Sequence, residues 1–90
     1  RVFGANTLMA EFLLNQGCVL PVHTHPYEQT GYLIKGRLRL WIGEQEWEVH
    51  PGDAWCIPMN VEHGAQVLEE SVAVEVFSPA REDYLPKSDD

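Results

Sequence analysis

Gly17-Cys18-Val19-Leu20-Pro21-Val22-His23-Thr24-His25-Pro26-Tyr27-Glu28-Gln29-Thr30-Gly31-Tyr32-Leu33-Ile34-Lys35-Gly36 sets two histidines two residues apart among short apolar runs. On an extended strand, residues i and i+2 project to one side, so the rings of His23 and His25 face the same way. Two imidazoles need that arrangement to bind one metal ion. Taken alone, His-x-His reads first as two surface histidines on a loop before Pro26. His63 supplies a third nitrogen only if the fold returns it to the pair. His50 precedes Pro51-Gly52 at a turn tip and reads as exposed and uninvolved.

Outward from this stretch, Gly and Pro punctuate the chain every few residues, at Gly17, Pro21, Pro26, Gly31, Gly36, Gly43, Pro51-Gly52, Pro58, Gly64, Pro79 and Pro86. The segments between them are too short for amphipathic helices and are rich in Val, Leu, Ile and Trp. Strands are predicted near Leu8–Leu14, Cys18–His23, Gly31–Lys35, Arg37–Ile42, Gln45–Val49, Ala54–Ile57, Ala65–Leu68 and Val72–Phe77. Arg37-Leu38-Arg39-Leu40-Trp41-Ile42 alternates polar and apolar except at Trp41, which is the period of a half-buried strand. Regular short strands with turn signals between them predict an all-β antiparallel sandwich or barrel. Trp41 and Trp47 read as core.

Ninety residues allow one domain with a single modest core, here spanning 1–90. Fourteen acidic against six basic residues give a net charge of −8. Such a balance repels phosphate backbones and anionic lipid, which excludes nucleic-acid and membrane-surface roles. The apolar run from Leu8 to Leu14 is interrupted by Glu11 and far too short to span a bilayer. A chain that opens on Arg1 reads as a trimmed segment with residues missing before it. Cys18 and Cys56 make no disulfide framework and read as two small buried hydrophobes in a reducing cytoplasm. The tail from Arg81 to Asp90 reads as a surface segment.

The spacing of Gly17, His23, His25, Gln29 and Gly36 resembles the first cupin motif: glycine, five residues, His-x-His, three or four residues, glutamate, six residues, glycine. Gly52, Pro58 and His63 fall at the spacing of the second motif. Asn60 stands where that motif has glycine, a mild departure because Asn tolerates a left-handed turn, and Val67 stands where it has asparagine. The resemblance implies a jelly-roll barrel holding one divalent transition metal ion in its mouth, with His23, His25, Gln29 and His63 as ligands. Imidazole donors suit Ni, Zn, Fe, Mn or Cu without choosing among them. Gln29 replaces the usual glutamate. Its neighbour Glu28 should face the opposite side of the strand. A neutral amide donor leaves the ion its full charge, favouring Lewis-acid work over iron-oxygenase chemistry.

Val72, Val74 and Val76 share one face of a strand, and Ala73, Glu75 and Phe77 the other. Alternation alone puts the valines in the core and Glu75 in water. A second resemblance weighs against this and leaves both faces open for Glu75. His-x-His-Pro with Glu-Gln, the Gly31–Gly36 strand, and Phe77-Ser78-Pro79-Ala80-Arg81-Glu82-Asp83-Tyr84-Leu85 together look like the pectin-degradation cupins. Those proteins convert unsaturated uronates into linear keto acids. The resemblance implies catalytic roles for Glu75 and Arg81 and a substrate wall of Phe77 with Tyr32 or Trp55, with glutamate at 75 where aspartate is usual. The competing functions are an iron-dependent cupin dioxygenase and a non-catalytic module binding a sugar acid. A homodimer is expected by the same resemblance.

Overall fold

The computed structural model describes residues 1–79. The part of the tail that carries Arg81 lies outside them. The described chain holds seven strands and no helix: β1 (Val2–Phe3), β2 (Leu8–Leu14), β3 (Val19–His23), β4 (Glu28–Ile42), β5 (Gln45–Val49), β6 (Ala54–Ile57) and β7 (His63–Ser78). All their pairings are antiparallel. The all-β reading holds, with two revisions. The strands expected at Gly31–Lys35 and Arg37–Ile42 are one strand, β4. Those at Ala65–Leu68 and Val72–Phe77 are one strand, β7.

The two long strands pair along most of their length and bend together. The first half of β4 pairs with β6 and with the second half of β7, which pairs in turn with β2. Past the bend, β4 pairs with β5 while the first half of β7 pairs with β3. Two sheets thus share two bent strands, and the inner faces enclose the interior of a barrel.

The bend has a local cause. Gly36 has φ 98°, a left-handed conformation that glycine adopts at little cost, and the β4–β7 register shifts on both sides of it. Opposite lies the buried Ser71, whose hydroxyl donates to the Glu69 carbonyl at 2.7 Å and accepts from the Arg37 amide at 3.1 Å. Pairing with β7 therefore continues through a change of direction, and the glycine does not end the strand.

Leu33, Leu38, Leu40, Val49, Trp55, Ile57, Ala65, Val67 and Ala73 form the main core, with Trp47 packed against it. Trp41 differs from expectation. It is half-buried, paired with Gly64, and its indole lies where a side chain at 64 would sit. The cysteines also differ, since both are exposed and free. Cys56 lies between the inward Trp55 and Ile57, so strand alternation turns it outward.

Candidate metal centre and cavity

His23 ends β3 and His63 begins β7, and the two are paired across the strands. The β6–β7 turn carries His63 to this position. Asn60 takes φ 62° there, and its amide donates to the His25 carbonyl at 2.9 Å. The asparagine thus supplies the left-handed turn expected of it and also anchors the loop that carries His25. His23, His25 and His63 each offer a ring nitrogen within 4.8 Å of the others. His25 and His63 are buried, whereas His23 stands at the exposed rim.

Each imidazole is oriented by a backbone carbonyl. Nδ1 of His23 lies 2.7 Å from the Pro21 oxygen, Nδ1 of His63 lies 2.9 Å from that of Val61, and Nδ1 of His25 lies 3.2 Å from that of Tyr27. A carbonyl only accepts, so Nδ1 carries the proton and Nε2 keeps its lone pair in the neutral ring. Holding the far ring nitrogen in this way is how metal-ligating histidines are fixed.

Gln29, on β4, completes the set. Its Oε1 lies 3.0 Å from His25 Nε2, and its Nε2 donates to Glu75 Oε2 at 2.7 Å. In neutral His25 both atoms of the first pair carry lone pairs, which do not attract each other. A proton on His25 would join them, but burial pushes the His25 pKa below its ordinary value, and His63 likewise. Two buried acceptors converging on one point, beside two further imidazole nitrogens, fit a divalent transition metal. Glu28 is exposed.

Behind the histidines lies a cavity of about 290 Å³. Phe12, Leu38, Leu40, Trp55, Ile57 and Phe77 form much of its wall. Glu75, paired with Gly31 on β4, points into it, so the face carrying the valines is the outer one. This overturns the reading from alternation. Burial drives the Glu75 pKa from 4.5 up to about 7, partly offset by the Gln29 hydrogen bond.

Trp55 reaches the cavity wall because Gly31 has no side chain; a methyl there would run into the indole. Tyr32, two positions beyond Thr30 on the other face of β4, is 48% exposed and does not line the cavity. That corrects its expected place in the substrate wall. Arg81 lies outside the described residues. Tyr27 was missed from sequence. Its ring stacks on His25 at 3.7 Å and 5°, and meets Phe77 edge-on at 5.4 Å. Burial and then the Glu75 charge raise its pKa. The two-residue spacing of His25, Tyr27 and Gln29 was the available signal.

A model of the cupin domain matches residues 10–78. The chain belongs to the cupin family. This cupin is 33% identical over 72 residues to the pectin degradation protein KdgF of Dickeya dadantii (strain 3937), covering 78% of this chain and 66% of that protein. Its fold matches the structure of KdgF from Halomonas sp. with TM-score 0.86 and 28% identity, covering 91% of this chain and 78% of that one. An RmlC-like cupin from Shewanella frigidimarina matches with TM-score 0.85 and 26% identity, over 92% of this chain and 75% of the other. The chain is thus a small cupin resembling the pectin-degradation cupins.

Proposed function

We propose that this cupin is a metal-dependent enzyme that opens and ketonises unsaturated uronates, the sugar acids released when pectin or alginate is broken down. The observation that carries this reading is Glu75. Its carboxyl lines an apolar cavity beside the Gln29 donor, and its pKa of about 7 suits proton transfer at neutral pH. The likeness to two KdgF proteins supports the substrate class.

A divalent ion held by His23, His25, His63 and Gln29 would supply a Lewis acid for an oxygen of the substrate. The chain's own groups do the rest. Four neutral donors leave the site positive, which suits a substrate carboxylate. Among the described residues no Lys or Arg lines the cavity, and Arg81 is the first cation in the chain beyond Pro79. We assign Arg81 to the carboxylate, which its planar fork grips in two places. Phe77 and Trp55 form a flat apolar wall for the ring. As the hemiacetal hydroxyl gives up its proton, the ring C–O bond breaks and that proton moves to the freed enol oxygen. The enol then takes a proton on carbon from the Glu75 carboxyl, and its hydroxyl proton returns to the carboxylate as the ketone forms. A cytoplasmic location fits the two free cysteines, and the working form is proposed to be a homodimer.

The test follows the ultraviolet absorbance of an unsaturated galacturonate, counted above a protein-free blank because such sugars rearrange spontaneously. Metal-loaded protein should accelerate its loss and chelated protein should not. Glu75→Ala should lower kcat by 100-fold or more, and Arg81→Ala should act mainly on KM. Turnover unchanged in both variants would overturn the uronate reading. Oxygen consumption with an iron-loaded sample would favour the dioxygenase. Tight binding of the sugar acid without turnover would favour a binding module.

A further inference from the structure

A glutamine side chain can sit in two orientations that exchange its oxygen and its nitrogen. In one, Oε1 of Gln29 faces His25 Nε2 and the amide nitrogen faces Glu75, as observed. In the other, the amide nitrogen would donate to the lone pair of His25 Nε2 and so satisfy both. Without an ion, His25 by itself favours the second orientation, which hides the oxygen from the site and blocks the imidazole nitrogen as well.

The group opposing it is Glu75. Its Oε2 accepts from the Gln29 nitrogen at 2.7 Å, and a flipped amide would turn its own oxygen toward that carboxylate. Two acceptors at that distance would repel whenever Glu75 is ionised, so the preference belongs to the carboxylate form.

We propose that Glu75 is a positioning residue for Gln29, holding the amide so that its oxygen and the His25 lone pair are both presented to the metal. This rests on the metal reading above but not on the uronate reaction. It is separate from the proton-transfer role, because it concerns affinity for the ion and needs no substrate. It also gives the glutamine a reason to work in a position where the family motif has glutamate. An amide is a competent oxygen donor only when its flip is decided, whereas a carboxylate presents an oxygen either way.

The test measures affinity for cobalt(II), by calorimetry and by the visible absorption of the bound ion. Glu75→Leu removes the acceptor, and affinity should fall 10- to 100-fold with a change in the cobalt spectrum. Glu75→Gln removes the charge and brings an amide that pairs with Gln29 in either orientation, so it should leave the flip undecided and restore affinity only in part. Gln29→Ala separates the explanations. If Glu75 acts through the amide, adding Glu75→Leu to Gln29→Ala should change affinity by less than about twofold. If Glu75 acts by its field on the ion, the two losses should multiply. That result overturns the proposal, as does an unchanged affinity in Glu75→Leu. Retained thermal unfolding of the metal-free variants shows that they fold. Uronate turnover is not read, so failure of the proposed reaction leaves the outcome intact.

Discussion

Burial acts on Glu75 and on the buried histidines with opposite signs. The folded chain holds a proton on Glu75 up to about pH 7, whereas the ordinary value is 4.5. That preference stabilises the fold fully below pH 4.5 and is lost as pH rises through 7. His25 and His63 have lowered values, so their contribution is present above pH 6.5 and is lost as pH falls through their folded values. In metal-free protein the two trends oppose, and a single melting curve against pH would mix them. Glu75→Gln isolates one. Relative to the parent chain, the variant should gain stability between pH 5 and pH 8 by about 2–3 kcal/mol, following from the Glu75 shift. Thermal unfolding of both chains at those two pH values checks this. A difference independent of pH would mean that Glu75 is ionised throughout. The same residue shows what alternation conveys. Parity in β7 separates Glu75 from the valines, but it does not say which face is interior. Both faces of this strand are largely apolar, because the inner one borders a cavity and the outer one carries Val72, Val74 and Val76.

At the scale of the element, the bend through Gly36 makes one barrel out of two sheets. A methyl at 36 would collide with the Ser71 side chain and approach the Glu70 carbonyl, and it would also strain φ 98°. At Gly52, with φ 95°, nothing lies within 4 Å of the same methyl. Gly52→Ala should therefore cost about 1 kcal/mol, the backbone term alone, and Gly36→Ala about 3 kcal/mol or more. Urea unfolding of the two variants gives the comparison, and equal costs would show that the bend gives way easily. This element also marks where the sequence stopped being legible. Glycine at 36 reads as a strand end because most strands end at such residues. Here the register shifts absorb the turn and the β7 partner bends with it. β1 has two residues and no pattern to find. The candidate metal ligands were easier. His23, His25, Gln29 and His63 stand at motif intervals, and those intervals reflect strand and turn lengths that fix where side chains meet. Tyr27 holds no motif position, and only its two-residue spacing between His25 and Gln29 hinted at the side it shares with them; that it stacks on His25 is a matter of packing.

Among the described residues, the whole barrel has one large face that its strands leave uncovered. On the first sheet, β6, β4, β7, β2 and β1 align Cys56, Thr30, Val76, Met9 and Val2 in one row. Ala54, Tyr32, Val74 and Glu11 form the next, and Lys35, Val72 and Leu13 a third. On a chain of net charge −8, these three rows carry only one acid and one base. Leu13 is 75% exposed and Met9 46%. Contiguous apolar surface of this kind is a candidate interaction site, and the proposed homodimer would seat a second copy on it. In such a dimer a two-fold axis along β7 would exchange the β4 side for the β2 side and bring Lys35 of one copy toward Glu11 of the other. The proposed homodimer is expected to use this face. Two copies of charge −8 repel, so association should tighten as salt screens them, the reverse of an interface held by ion pairs. Sedimentation equilibrium should give the mass of two chains, with a dissociation constant that falls between 20 and 300 mM salt. Leu13→Lys changes an exposed side chain and should leave the monomer's unfolding within about 0.5 kcal/mol. It should nevertheless weaken the dimer at least tenfold, because it brings an unpaired charge into the apolar contact. A parent chain that sediments as a monomer at 100 µM, or a variant that dimerises as tightly, would exclude this face.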